Sequence, residues 1–427
     1  MDQIYITDIK IDHVRHLKNI EIPLSENHMK HLIITGKNGS GKTSLLDALA
    51  RYIYLITRPD YFNEQTIECE NLYPADVGFG KNNLYKIEQR SKDEKGTSKR
   101  LLVYEKEISL QKTGVVIQFN ELAENTSSLF SQGKFVTAYY KADRIFKAQI
   151  PQHVEKVTLK KDYSIEETPR QDFVKYLLDL KMTQALAVTG GKKEKADQIA
   201  AWFKNFDDLL KRIFDDDSVE LVFDEETFQF TIHMEGRDPF DFNELSSGYA
   251  AVLDIVVDLI IRMESQTERR FDFSVAGIVL IDEIETHLHL ELQRKILDLL
   301  TSIFPNIQFI MSTHSPFIIQ SLEDGELVTL DQPLDSEYSG EGIEDIAEDI
   351  MGVVLPQYSE KKRKIYEASR EYFSALKEAK TQDEIEKLGK RLAELEAEYS
   401  ENPAYMAWVH QQYTEKAWKV KKNEGNR

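Results

Sequence analysis

Residues Gly36–Thr43 read Gly-Lys-Asn-Gly-Ser-Gly-Lys-Thr and fit the pattern GxxxxGK[ST]. They stand between the apolar run Leu32-Ile33-Ile34 and a stretch in which Leu45, Leu46, Leu49, Tyr52, Ile53 and Ile56 recur at helical spacing until Pro59. That order predicts a buried strand, a glycine-rich turn and an amphipathic helix, the context in which such a turn cradles phosphate. Glycine permits positive φ and close backbone approach, so successive N–H groups and a helix N-terminus can wrap an anion. The expected nucleotide-binding residues are Gly36, Asn38, Gly39, Ser40, Gly41, Lys42, Thr43 and Ser44. Lys42 would reach the β- and γ-phosphates, and Thr43 would place its hydroxyl on Mg²⁺.

A second run, Gly277 to Ile281, is continuously apolar and ends in Asp282-Glu283. A parallel strand buried on both faces has this composition, and its carboxyl end delivers side chains to the ligand crevice. Asp282 is expected to hold the Mg²⁺ and Glu283 to polarise the attacking water. Leu245-Ser246-Ser247-Gly248-Tyr249 precedes an apolar helix expected over Ala250 to Met263, and offers hydroxyls, N–H groups and the positive end of a helix dipole to a second phosphate site. Met311-Ser312-Thr313-His314-Ser315 follows the strand-like Ile307 to Ile310 and presents one imidazole at a strand end.

These motifs sit in a long acidic chain. Among 427 residues, 54 Lys and Arg face 74 Asp and Glu, a net charge of −20 that speaks against sequence-independent coating of DNA. A single cysteine, Cys69, cannot form an internal disulfide, which fits a reducing, cytoplasmic setting. The longest apolar stretch, Tyr249 to Met263, is interrupted by Asp254, Asp258 and Arg262 and is shorter than the roughly 20 residues a bilayer span needs. Four parts are expected: 1–144, carrying the glycine-rich turn; a helical insertion, 145–217; 218–330, carrying the other three motifs; and a Glu- and Lys-rich helical region, 331–427. Strands are expected at Leu101 to Tyr104, Val115 to Phe119, Phe135 to Tyr140, Val219 to Phe223 and Phe228 to His233, and the basic run Lys81 to Arg100 as a surface loop. The last part reads as a helical hairpin or short coiled coil.

The order of P-loop, Leu-Ser-Ser-Gly, apolar strand with Asp-Glu, and Ser-Thr-His-Ser resembles the ATP-binding cassette (ABC) ATPases, and within them the group of RecF, SMC heads and OLD proteins rather than transporters. The resemblance covers about residues 1 to 330. It implies an α/β P-loop NTPase of ABC type with a mixed sheet, using ATP and Mg²⁺. Two chains would sandwich two nucleotides, with Ser246, Ser247 and Gly248 acting on the partner's ATP. Glu283 would be the catalytic carboxylate and His314 the switch residue that senses the γ-phosphate. Ser247 stands where transporters have glycine, and Glu285-Thr286-His287-Leu288-His289 replaces the transporter D-loop, in keeping with the DEPExHLHP pattern of the RecF-like and OLD-like ATPases. No Q-loop glutamine is evident; Gln118 and Gln132 are the candidates, and Arg15 and Arg144 are considered as nucleotide-proximal arginines.

After Leu330 no Glu followed by a DxD appears, so an OLD-type Toprim nuclease is not expected, and the insertion is too short for an SMC coiled coil. What remains resembles the stand-alone ATPases of antiphage defence, in particular the PtuA family of Septu systems, which act with the HNH nuclease PtuB. That resemblance implies a regulatory subunit with slow or regulated hydrolysis, forming homo-oligomers built on sandwich dimers, docking a partner nuclease through its C-terminal helices and meeting DNA mainly through the complex. The alternatives are a RecF-like DNA-binding repair ATPase, with the basic segments Lys81 to Arg100 and Lys192 to Lys195 on backbone phosphate, and a PARIS-type defence ATPase with a different effector.

Overall fold

The computed structural model describes residues 3–58, 113–121, 123–144, 146–151, 153–267, 269–331, 342–353, 356, 360–398 and 403–424. Cys69, the basic run Lys81 to Arg100 and the strand expected at Leu101 to Tyr104 lie outside the described residues. Contacts divide the chain into two units, 1–346 and 347–427.

The first unit opens with a hairpin, β1 (Ile6–Val14) and β2 (Leu17–Pro23), whose alternating isoleucines turn one face inward. Strand β3 (His31–Thr35) follows, and after the glycine-rich turn comes helix α1 (Lys42–Ile56). Strand β4 (Val115–Phe119) pairs antiparallel with β1, giving a three-stranded sheet in the order β2-β1-β4. Helix α2 (Ala123–Ser131) leads to β5 (Phe135–Tyr140). Beyond the helical regions described next, β8 (Ala276–Ile281), helix α6 (Leu290–Ile303), β9 (Ile307–Ser312), a short helix α7 (Pro316–Gln320) and β10 (Gly325–Thr329) complete the core. The main sheet runs β10-β3-β9-β8-β5, with every neighbouring pair parallel. Its central strands are continuous runs of buried residues, as sheets covered on both faces require. In the core, the mixed sheet expected from sequence is thus realised as a parallel sheet beside an antiparallel one, apart from the separate hairpin described below. Gln308, wholly buried on β9, staples them: its Oε1 accepts from Ile6 N–H at 2.7 Å, and its Nε2 donates to Ile6 O at 3.1 Å and Lys30 O at 2.8 Å.

Between β5 and β8 lie two long helices, α3 (Phe173–Thr189) and α4 (Lys193–Phe214), a hairpin β6 (Glu220–Asp224) and β7 (Gln229–His233), and helix α5 (Ser247–Glu264). Within the helical stretch expected from Ile145, the described residues become helical only at a short 3₁₀ turn, Pro169–Asp172, that leads into α3. Residues 153–168 run without helix, because β-branched and charged residues alternate there and Pro169 closes the segment. Helix α5 is buried on nearly all sides, including Asp254, Asp258, Arg262 and Glu264. None of the helices in the described residues is long and apolar enough to cross a membrane.

Among its described residues the second unit holds three long helices where the sequence pattern suggests two: α8 (Glu360–Glu378), α9 (Gln382–Glu398) and α10 (Pro403–Glu424). Tyr372, Leu376, Ala379, Ile385, Leu392 and Val409 form its small core. Helices α9 and α10 approach closely there, since a Cβ at Gly389 would lie 2.4 Å from the Tyr413 hydroxyl.

Candidate active site

The parallel topology brings the carboxyl ends of β3, β9, β8 and β5 to one edge. The turn after β3 carries positive φ at Gly36 (131°), Gly39 (83°) and Gly41 (104°), conformations that glycine adopts without strain. A Cβ at Gly41 would touch Leu17 and His16, so the β1–β2 turn props the loop from below. His16 makes the contact directly, its Nε2 lying 2.9 Å from Ser40 O. Arg15, considered as a nucleotide contact from sequence, takes the left-handed position of that turn (φ 54°), and its neighbour His16 contacts the P-loop. Lys42, the first residue of α1, folds back so that Nζ donates to Gly36 O (2.9 Å) and Lys37 O (3.1 Å). Burial lowers its pKa, and the carboxylates of Glu283, Asp331, Asp282 and Glu285 oppose that fall, keeping an ammonium among four acids.

Thr43 Oγ1 donates to Asp282 Oδ2 at 2.9 Å. The other oxygen, Oδ1, accepts from Ser312 Oγ at 2.5 Å, and the same hydroxyl accepts from Glu283 N–H at 2.8 Å. A serine at the end of β9 therefore orients both acids at the end of β8. Glu283 itself is left-handed (φ 45°), as is His287 (φ 69°), uncommon for residues with side chains and typical of positions that surrounding contacts over-determine. Those contacts include Arg144, just beyond β5 and 4% exposed, whose guanidinium donates to Asp282 O (2.9 Å), Glu283 O (3.3 Å) and Ile284 O (2.8 Å). Arg144 is thus a buried backbone clamp and not a surface residue. Glu285 fixes the neighbouring loop, accepting from Thr313 Oγ1 at 2.7 Å and from His314 N–H at 2.6 Å. The His314 side chain makes no hydrogen bond among the described residues.

The Leu-Ser-Ser-Gly motif behaves differently. Helix α5 begins at Ser247, earlier than the expected Ala250, with Ser246 at the cap position, yet no side chain caps it. Both serines are exposed, while Gly248 is buried against His287 O, where a Cβ would come to 3.2 Å. Tyr249 packs on Phe214 at 4.3 Å between ring centres, and His289 caps α6 by accepting from Leu292 N–H through Nδ1 at 3.4 Å. Among the described residues, neither serine side chain bonds to the P-loop. Gln118 sits on β4 bonded to Asp8, and the exposed Gln132 bonds to Ser128 at the end of α2, so neither reaches the phosphate loop. Sequence reading does not single out Ser312, Glu285 or His16 as site residues; only the first two stand inside recognisable motifs.

The residues suit a phosphate-bearing ligand. Ser40 Oγ, within the loop, is buried and has no partner among the described residues, the kind of orphan that a ligand oxygen satisfies. The loop is open beside Gly39, since a Cβ there would meet nothing within 4 Å. Topology, P-loop and carboxylate pair together define the fold and nucleotide site of a P-loop ATPase. The chain is similar to Septu protein PtuA from Bacillus mycoides, 31% identical over 129 residues, 30% of this chain and 17% of that protein. The Vibrio cholerae "Retron Vc95 probable ATPase" is 35% identical over 103 residues, 24% of this chain and 20% of that protein. The matched stretches thus cover only a small part of the relatives' lengths. The family described as "AAA domain, putative AbiEii toxin, Type IV TA system" matches residues 158–320, a span that holds the Ser-Ser-Gly, Asp-Glu and His elements but begins after the P-loop. The SMC head domain from Thermotoga maritima superposes over 76% of this chain and 94% of that domain at 12% identity with a TM-score of 0.34, too loosely to add to the strand order.

Proposed function

We propose that the chain binds and hydrolyses ATP as the regulatory subunit of an antiphage defence complex, working as a dimer that closes around two nucleotides and acting with a partner nuclease of HNH type. The observation that carries the reading is the uneven state of the motifs. Lys42, Thr43, Asp282 and Ser312 are gathered at one edge of the sheet and bonded to the loop or to one another, whereas Ser246 and Ser247 stand exposed and uncapped at a helix N-terminus. A second copy supplies the missing half of each site. The likeness to Septu and retron ATPases supports the defence role.

In this reading the P-loop N–H groups and Lys42 hold the phosphates, and Ser40 Oγ gains its partner there. Thr43 and Asp282, 2.9 Å apart, are the residues that would hold Mg²⁺. Mg²⁺, when bound, neutralises phosphate charge. Glu283 orients the attacking water and accepts its proton, with its backbone fixed at N–H by Ser312 and at the carbonyl by Arg144. His314, its N–H held by Glu285, keeps its imidazole free for the γ-phosphate. Ser246, Ser247 and the start of α5 bind the partner's nucleotide through hydroxyls and the helix dipole.

The test is native mass determination and affinity capture of the full chain from cells with its neighbouring genes, beside a variant ending near residue 358. Recovery of a nuclease that is lost with the tail is the expected result. Recovery of DNA or repair factors without a nuclease would overturn the defence assignment in favour of the RecF-like one.

A further inference from the structure

Behind the P-loop edge lies a dense group of buried charges that the hydrolysis step does not use. Helix α5 carries Asp254, Asp258 and Arg262 at successive four-residue steps, all essentially buried. Asp258 is well satisfied, accepting from Tyr140 OH (2.9 Å), Arg262 Nε (2.7 Å) and Arg170 N–H (3.2 Å). Asp254, one turn nearer the exposed serines, is not. Its Oδ1 pairs with Arg170 Nε at 2.5 Å, whereas Oδ2 is buried and has no hydrogen-bond partner among the described residues. Arg144 has the matching vacancy: both terminal nitrogens hold backbone carbonyls, while Nε is buried with no partner there. Of the carboxylates acting on Arg144, Asp254 acts most strongly. An unmatched donor and an unmatched acceptor are costly in an interior, and they persist where a second arrangement uses them.

We propose that Arg144 is a positioning residue for hydrolysis, coupled through Asp254 to helix α5, so that a second copy engaging Ser246–Gly248 tightens the clamp on the Glu283 backbone. The inference rests on the sandwich dimer proposed above and names how its closure reaches the chemistry. Asp254 lies seven residues beyond Ser247, about 10 Å along the helix, so a shift of the helix start carries it as a rigid body. An axial or rotational shift of about 1 Å is enough to exchange one hydrogen-bond arrangement for another. The pairing of Arg144 Nε with Asp254 would fix the fork that holds the carbonyls of Asp282, Glu283 and Ile284.

Asp254→Asn and Arg144→Lys are compared with wild type in the full chain, singly and together, by ATP turnover and by hydrogen exchange of residues 283–286 with and without ATP. The expected result is a fall of about tenfold in kcat for Asp254→Asn with KM within about twofold, because the P-loop is untouched. The double variant is expected to be no slower than Arg144→Lys alone, since the two residues act as one path. Independent, multiplying losses overturn the relay, as does a kcat for Asp254→Asn equal to that of wild type. Exchange at 283–286 slows on ATP addition in wild type and is expected not to slow in Asp254→Asn; equal slowing in both overturns it too. A wild-type chain that binds ATP without turnover would overturn the hydrolytic reading alone, because the exchange comparison still tests the relay. Arg144→Lys provides the same comparison where Asp254→Asn fails to fold.

Discussion

The two halves of the candidate site differ in how far one chain can build them. The half at the ends of β3, β8 and β9 is complete: Thr43, Asp282, Ser312 and Glu283 N–H form one connected set of hydrogen bonds, and Lys42 is anchored to the loop it serves. The half at the start of α5 leaves two exposed hydroxyls at the cap of an 18-residue helix with no capping bond. The strand-edge half is assembled by topology within the chain, whereas the start of α5 keeps its hydroxyls exposed and uncapped. In the second case the unspent donors and the helix dipole are themselves the feature to be explained.

Three substitutions probe the two halves in turn. Removing the anchored ammonium with Lys42→Ala is expected to weaken ATP binding by about 100-fold or more, since charge-assisted bonds to phosphate are lost without a substitute. Equilibrium binding of a fluorescent ATP analogue checks this, and affinity within a few-fold of wild type would break the assignment of the loop. Glu283→Gln is expected to leave ATP binding in place while turnover falls by about 100-fold or more, the range for loss of a positioned base. A particle of twice the chain mass should then accumulate with ATP; parallel loss of binding would instead make Glu283 part of the binding half.

The incomplete half is probed by mixing. Ser247→Arg and Lys42→Ala chains are each expected to be inactive alone, one lacking a usable signature and the other a usable P-loop. With free subunit exchange, half of the dimers are mixed and each carries one complete site, so about a quarter of the wild-type rate should return. No recovery, from chains that are shown to exchange, would require both halves to act within one chain.

How much of this is legible in the sequence follows the same division. The P-loop, the apolar strand before Asp282-Glu283 and the hairpin of β6 and β7 are local patterns, and the expected bounds of each lie close to those observed. Arg144 is not legible as a clamp, because its partners lie 138 to 140 residues away and only the pairing of β5 beside β8 brings them together. Gln308 likewise looks like a polar slip in an apolar run until two sheets are seen to need a bridge. The third C-terminal helix is hidden because its apolar residues, among them the exposed Trp418, do not repeat on one clear face.

The smallest expected effect concerns stability and separates Asp254 from the acids of the strand-edge half. Burial, opposed by Arg170 and Arg144 and aided by Asp258, pushes the Asp254 carboxyl up to about 6. In the unfolded chain it ionises at about 4, so between these values the folded state holds a proton that the unfolded state has released. Stability from this group therefore falls as pH rises from about 4 to about 6 and is level above that. Asp254→Asn removes a titrating group facing Arg170, Asp258 and Arg144, and should flatten that part of the profile of unfolding midpoint against pH. If the two profiles stay parallel through this window, Asp254 is ionised throughout it and its contact with Arg170 is a full ion pair.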